Sequence, residues 1–171
     1  ALVTPARGQI LDTTLPSPSS FDHVITKLRF EGQTYWLDPT LSNQRGDLET
    51  LYEGNNGYAL VLDDDTEILE WASGRNLHRS TISTVEHYME LPDNQALLTV
   101  TTRYEGGEAD WVRSSLAASS RGDFERLYLN HYANFFPSIE LEKPMEIEDL
   151  QERNRITLRE SYRIREFLTQ Q

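Results

Sequence analysis

Apolar and polar residues alternate with a period of two over several stretches of this chain and switch to a spacing of three and four in one. Val24, Thr26, Leu28 and Phe30 alternate with His23, Ile25, Lys27 and Arg29. Glu31-Gly32 then supplies a turn, and residues 33–38 resume an extended, aromatic-rich run. The pattern predicts a β-hairpin. Residues 81–91 and 96–104 alternate in the same way around Pro92-Asp93-Asn94-Gln95, which predicts a second hairpin. The period then changes. Ala109, Val112 and Leu116 keep a helical rhythm, and after Gly122 so do Phe124, Leu127, Tyr128, His131, Tyr132 and Phe135, with Pro137 stopping that helix after Phe136. Residues 139–147 and 155–167 return to extended patterning, with the charged tract 146–155 as a polar turn between them. Hairpin, two helices, hairpin is an α+β unit of ββααββ type.

The segment before that unit is turn-rich. Residues 1–11 read as a short strand region broken by Pro5 and Gly8, and Leu15-Pro16-Ser17-Pro18-Ser19-Ser20 is a loop. After Thr40, Asn43, Gly46 and Gly54-Asn55-Asn56-Gly57 mark turns, with a helical turn at 47–52. Tyr58-Ala59-Leu60-Val61-Leu62 is strand-like and ends at Asp63-Asp64-Asp65. Ser73-Gly74-Arg75-Asn76 is the best boundary, dividing the chain into 1–74 and 75–171. No internal repeat or low-complexity segment interrupts this organisation.

The first hairpin carries the candidate chemistry. With Glu31-Gly32 as a two-residue turn, Phe30 faces Gln33, Ile25 faces Asp38 and His23 faces Thr40. His23 and Asp38 then lie diagonally on one face, roughly 7 Å apart, within reach of an imidazole and a carboxylate. A carboxylate so placed fixes the tautomer and orientation of the ring. A three-residue turn with a bulge at Gly32 would instead send the two side chains to opposite faces. Trp36 shares the His23 face, either as a substrate-binding wall of a cleft or as ordinary core.

A histidine–aspartate pair normally serves a nucleophile, and this chain has no cysteine. Ser17, Ser19 and Ser20 are near in sequence, but no Gly-x-Ser-x-Gly elbow holds any of them. The lack of cysteine also removes disulfides and thiolate metal sites. His78, His87 and His131 lack metal-ligand spacing, and the acidic triplet at 63–65 lacks the alternating ligands of a calcium loop. A net charge of −12 disfavours nucleic acid as a partner, and no apolar run is long enough to cross a bilayer. An apolar content of 37 % suffices for a core without staples. The aromatic stripe on the second helix fits a core face better than a carbohydrate or peptide platform. Opening on Ala1-Leu2-Val3 without an initiator methionine, the sequence is expected to be a piece of a longer polypeptide.

Phe21-Asp22-His23-Val24-Ile25 followed by Tyr35-Trp36-Leu37-Asp38-Pro39-Thr40 resembles the second half of a transglutaminase-like core, in the papain-like superfamily that uses a Cys-His-Asp triad. Gly57-Tyr58-Ala59-Leu60-Val61-Leu62 and the stretch from Leu98 through Tyr128-Leu129-Asn130 resemble bacterial multidomain proteins that flank such a core with domains of unknown function. The resemblance implies that His23 and Asp38 are the triad histidine and aspartate, and that the cysteine lies upstream in the same polypeptide. It implies no cofactor, a peptide or protein amide as substrate, acyl transfer or hydrolysis as the reaction, and a setting in the bacterial envelope. Without the cysteine this chain alone is expected to be inactive. The rival expectation is a non-catalytic binding or structural module.

Overall fold

A computed structural model describes residues 1–74 and 80–168. It is mixed α+β with antiparallel sheets. Three small two-stranded sheets come first. β1 (Leu2–Val3) pairs with β2 (His23–Val24), β3 (Thr26–Phe30) with β4 (Gln33–Leu37), and β5 (Asn55–Ala59) with β6 (Glu70–Ser73). They share one core of Val3, Ile25, Trp36, Ala59 and Ala72.

The β3–β4 turn has the two-residue geometry, with Phe30 opposite Gln33 and both turn residues at positive φ (Glu31 48°, Gly32 75°). That primed turn matches the twist of the flanking strands, and it fixes the register through Thr26 opposite Leu37. The expected continuous strand from His23 to Phe30 does not form, because the chain breaks at Ile25. His23 and Val24 pair with Val3 and Leu2 instead of continuing toward Thr40 and Pro39. The cause is the buried N-terminal segment. The Ile25 N–H donates to the Ala1 carbonyl (2.9 Å), the Ala1 nitrogen donates to the Ile25 carbonyl (2.8 Å), and Ile25 turns into the core. The strand expected at 58–62 is also displaced. It begins at Asn55, and beyond Ala59 only Leu60 continues, as a bridge to Leu2.

The second half holds a four-stranded sheet in the order β7 (Thr81–Leu91), β8 (Gln95–Glu105), β10 (Arg155–Ile164), β9 (Ile139–Leu150). Between β8 and β9 run α1 (Gly107–Ala118) and α2 (Arg121–Ala133). Ser120 caps α2, its hydroxyl accepting from the Asp123 N–H (3.2 Å) and donating to the Asp123 carboxylate (2.7 Å). The helix stops at Ala133, three residues short of the expected end.

Tyr104, Ile156, Leu158 and Met145 from the sheet pack against Ala109, Val112 and Phe124 from the helices. Each fully buried aliphatic side chain there contributes about 1.5–3 kcal/mol. Pro144 lies on the edge strand β9, where a bulge opposite Glu160 accommodates its missing N–H. β9 continues to Leu150, so the polar turn is narrower than expected, a single 3₁₀ turn at Gln151–Arg153.

The two halves touch through the 40–52 segment. The Arg45 N–H donates to Asp110 (3.1 Å), the Asn43 amide to Ser114 (3.3 Å) and the Thr50 hydroxyl to the Glu152 carbonyl (2.9 Å). The expected boundary at Ser73-Gly74-Arg75-Asn76 and His78 reach into 75–79, outside the described residues.

Candidate functional site

His23 and Asp38 meet, although they hang from different sheets. His23 rides on β2, held by β1, while Asp38 is the first residue beyond β4, immediately ahead of Pro39. Proline has no N–H to extend the ladder, so the strand ends there and the Asp38 side chain is free to turn. His23 Nε2 and Asp38 Oδ2 are 2.7 Å apart, with the two side chains 28 % and 22 % exposed.

Asp38 Oδ1 accepts from the Thr40 N–H (3.0 Å) and the Thr40 hydroxyl (2.6 Å), so both carboxylate oxygens are engaged and the rotamer is fixed. Partial burial pushes the carboxyl up, but the hydrogen bonds from Thr40 and His23 outweigh it, and the group sits below the ordinary 3.8. Asp38 therefore contributes stability that is fully present above 3.8 and is lost as pH falls through its lowered folded value.

Because the carboxylate can only accept, Nε2 carries the shared proton. In the neutral ring Nδ1 then carries the lone pair, and it has no hydrogen-bond partner among the described residues. Chemically, this is an imidazole oriented at one nitrogen and open at the other, the arrangement that a general base needs. Ser17 and Ser19 bond to each other (3.0 Å), and among the described residues no serine hydroxyl bonds to His23. The segment that follows Asp38 walls a cleft of about 450 Å³, with Thr40 and Asn43 on one side and Asp110 and Trp111 on the other.

Trp36 is placed in the core, 6 % exposed, packed in one cluster with Val3, Ile25, Ala59 and Ala72. Its backbone N–H donates to the buried Glu53 carboxylate (3.0 Å), and the Lys27 ammonium stands 5.5 Å from its ring centroid while pairing with Glu70. Of the two roles open to it, cleft wall and ordinary core, this burial is that of a core residue. His87 lies on β7 and His131 on α2.

Sequence reasoning missed a polar cluster centred on Arg113. Its guanidinium is buried and donates to Asp110 (2.9 Å), to Asn154 (2.6 Å) and to both oxygens of Asp149 (2.8–3.2 Å). The Asp110–Arg113 spacing on a helix was a legible signal. Asp149 and Asn154 were not, because they arrive from the far end of the sheet. No family model matches this chain, and no match is found to a curated protein or a solved structure.

Proposed function

We propose that this chain carries the histidine and aspartate of a transglutaminase-like, cysteine-dependent acyl-transfer site, with the thiol supplied by polypeptide ahead of Ala1. The observation that carries the reading is the 2.7 Å contact at Nε2, together with an Nδ1 that has no hydrogen-bond partner among the described residues. In this reading His23 Nδ1 takes the thiol proton. The thiolate attacks an amide carbonyl, and the C–N bond breaks as the same nitrogen returns the proton to the leaving amine. Water or a second amine then resolves the thioester, giving hydrolysis or transamidation. Asp38 is the positioning residue, holding the Nε2–H tautomer.

Residues 1–74 belong to the core in this reading and 75–171 form an appended ββααββ unit. Trp36 supports the strand that ends in Asp38. The rival, a non-catalytic binding or structural module of an envelope protein, is favoured by one fact, that none of the 171 residues is a cysteine.

Two measurements separate them. In the isolated chain, ¹⁵N NMR of the imidazole above its titration range is expected to show the Nε2–H tautomer, and Asp38→Ala is expected to mix the two tautomers. A dominant Nδ1–H form would overturn the positioning role. In the polypeptide extended ahead of Ala1, His23→Ala is expected to slow iodoacetamide labelling of the nucleophile by about 10²–10⁴. Unchanged labelling, or no cysteine in that extension, would favour the binding module.

A further inference from the structure

A second cleft, of about 560 Å³, opens between β7, β8 and β10 on one side and α1 and α2 on the other. Its floor is set by sheet register. Glu86 on β7 and Glu160 on β10 both pair with Val100 on β8, so the three side chains stand in one row on the helix-facing side. With strands ~4.8 Å apart, the two glutamates are separated by roughly 10 Å across the valine.

Glu160 is 2 % exposed. Its Oε2 accepts from the Tyr162 hydroxyl (2.5 Å), and its buried Oε1 accepts no hydrogen bond among the described residues. Unmet buried acceptors of this kind are rare in folded proteins. Burial pushes the Glu160 carboxyl up, the Tyr162 hydrogen bond offsets part of this, and the charge of Glu86 pushes it further. Glu86 is better supplied, with hydroxyls from Tyr132 (2.7 Å) and Tyr88 (3.1 Å).

The rest of the lining decides the ligand class. Tyr104, Tyr128 and Tyr132 form aromatic walls, and Trp111, more than half exposed, stands at the rim. Among the described residues that line the cleft, none is lysine or arginine, and His131 is the one that can become cationic. An anion would meet two carboxylates. A purely apolar group would leave Oε1 of Glu160 unmet, and a neutral saccharide would leave its charge uncompensated. A cation with N–H donors satisfies the carboxylate and gains from the faces of the surrounding rings.

We propose that this cleft binds a primary alkylammonium group, its N–H donors on Glu160 Oε1 and its carbon stem against the tyrosine and tryptophan rings. A lysine side chain and a free diamine share that chemistry. The site is independent of His23 and Asp38.

The test is a titration of the full ¹⁵N-labelled chain at neutral pH with cadaverine and with Nα-acetyl-lysine amide, using pentanol and maltotriose as neutral controls. Saturable amide shifts are expected from an amine, clustered on β7, β10 and α2, and the tighter of the two amines identifies the source. Glu160→Gln keeps the shape and the Tyr162 hydrogen bond, and is expected to weaken binding about tenfold or more. Should that variant not fold, Glu86→Lys changes an exposed residue, places a competing ammonium in the cleft, and is expected to weaken binding as much. Binding undiminished in the variant that folds, controls that bind as tightly as the amines, or no saturable shift with either amine would overturn the proposal.

Discussion

Arg113→Met is expected to destabilise the chain by about 3–5 kcal/mol, more than any surface change, because it removes a buried guanidinium, leaves the partly buried Asp110 without its cation and deprives the buried Asn154 of its hydrogen bond. Arg113 is the hub between Asp110, Asp149 and Asn154, and Asp110 also accepts the Arg45 N–H from the first half of the chain. Burial pushes the Asp110 carboxyl up, and the bonds from Asn154, Arg45 and Arg113 oppose that without cancelling it. Removing the guanidinium takes away part of that opposition. The folded Asp110 carboxyl then titrates higher still, and the deficit grows as pH rises through that range. Urea denaturation at neutral pH and again near pH 4 checks both statements. A loss under about 1 kcal/mol at neutral pH would show that water replaces the guanidinium freely. Adding Asp110→Asn to Arg113→Met should recover part of the loss, since the uncompensated charge is then gone.

The second large effect comes from backbone contact. At Gly57 φ is +67°, and a Cβ there would lie 2.2 Å from the Gly8 carbonyl carbon and 2.6 Å from the Gln9 nitrogen. Alanine therefore meets two costs, roughly 1–2 kcal/mol for left-handed backbone and about 1–3 kcal/mol for overpacking against main chain that cannot rotate away. Gly57→Ala is expected to lose about 3 kcal/mol by urea denaturation. Gly32→Ala separates the terms, because Gly32 also has positive φ (+75°) but nothing lies within 4 Å of its added methyl. It should show the backbone cost alone. Equal losses at the two positions would refute the steric part.

Why some of this was visible in the sequence and some was not follows from how local each cause is. The hairpin at Thr81–Leu91 and Gln95–Glu105, the two helices and the register across Glu31-Gly32 all depend on neighbours within one turn or one strand pair, and periodicity carries that information. The break at Ile25 depends on Ala1, 24 residues earlier, and no window of alternation registers it. His23 and Asp38 meet as the turn register led one to expect, but that register ends at Thr26 opposite Leu37, and the mount of His23 on β1 that brings the ring to Asp38 was not legible. Trp36 was ambiguous because a face shared with a polar pair says nothing about depth, which is set by Ala59 and Ala72 from a different hairpin. β6 was missed altogether. Its short Glu-Trp-Ala-Ser run has too few alternations to stand out from the acidic turn before it.

The separation of the pair along the chain also bears on the order of folding. His23 and Asp38 close a segment of 15 residues, whereas Arg155 must find Glu105 across 50 before β10 can dock. Loop-closure entropy rises only logarithmically, so the longer closure costs about 1 kcal/mol more. It must also wait for two helices to be threaded between its ends. The imidazole and its carboxylate therefore belong to the fast, local part of the folding reaction, and the aromatic cleft to the slow, nonlocal part.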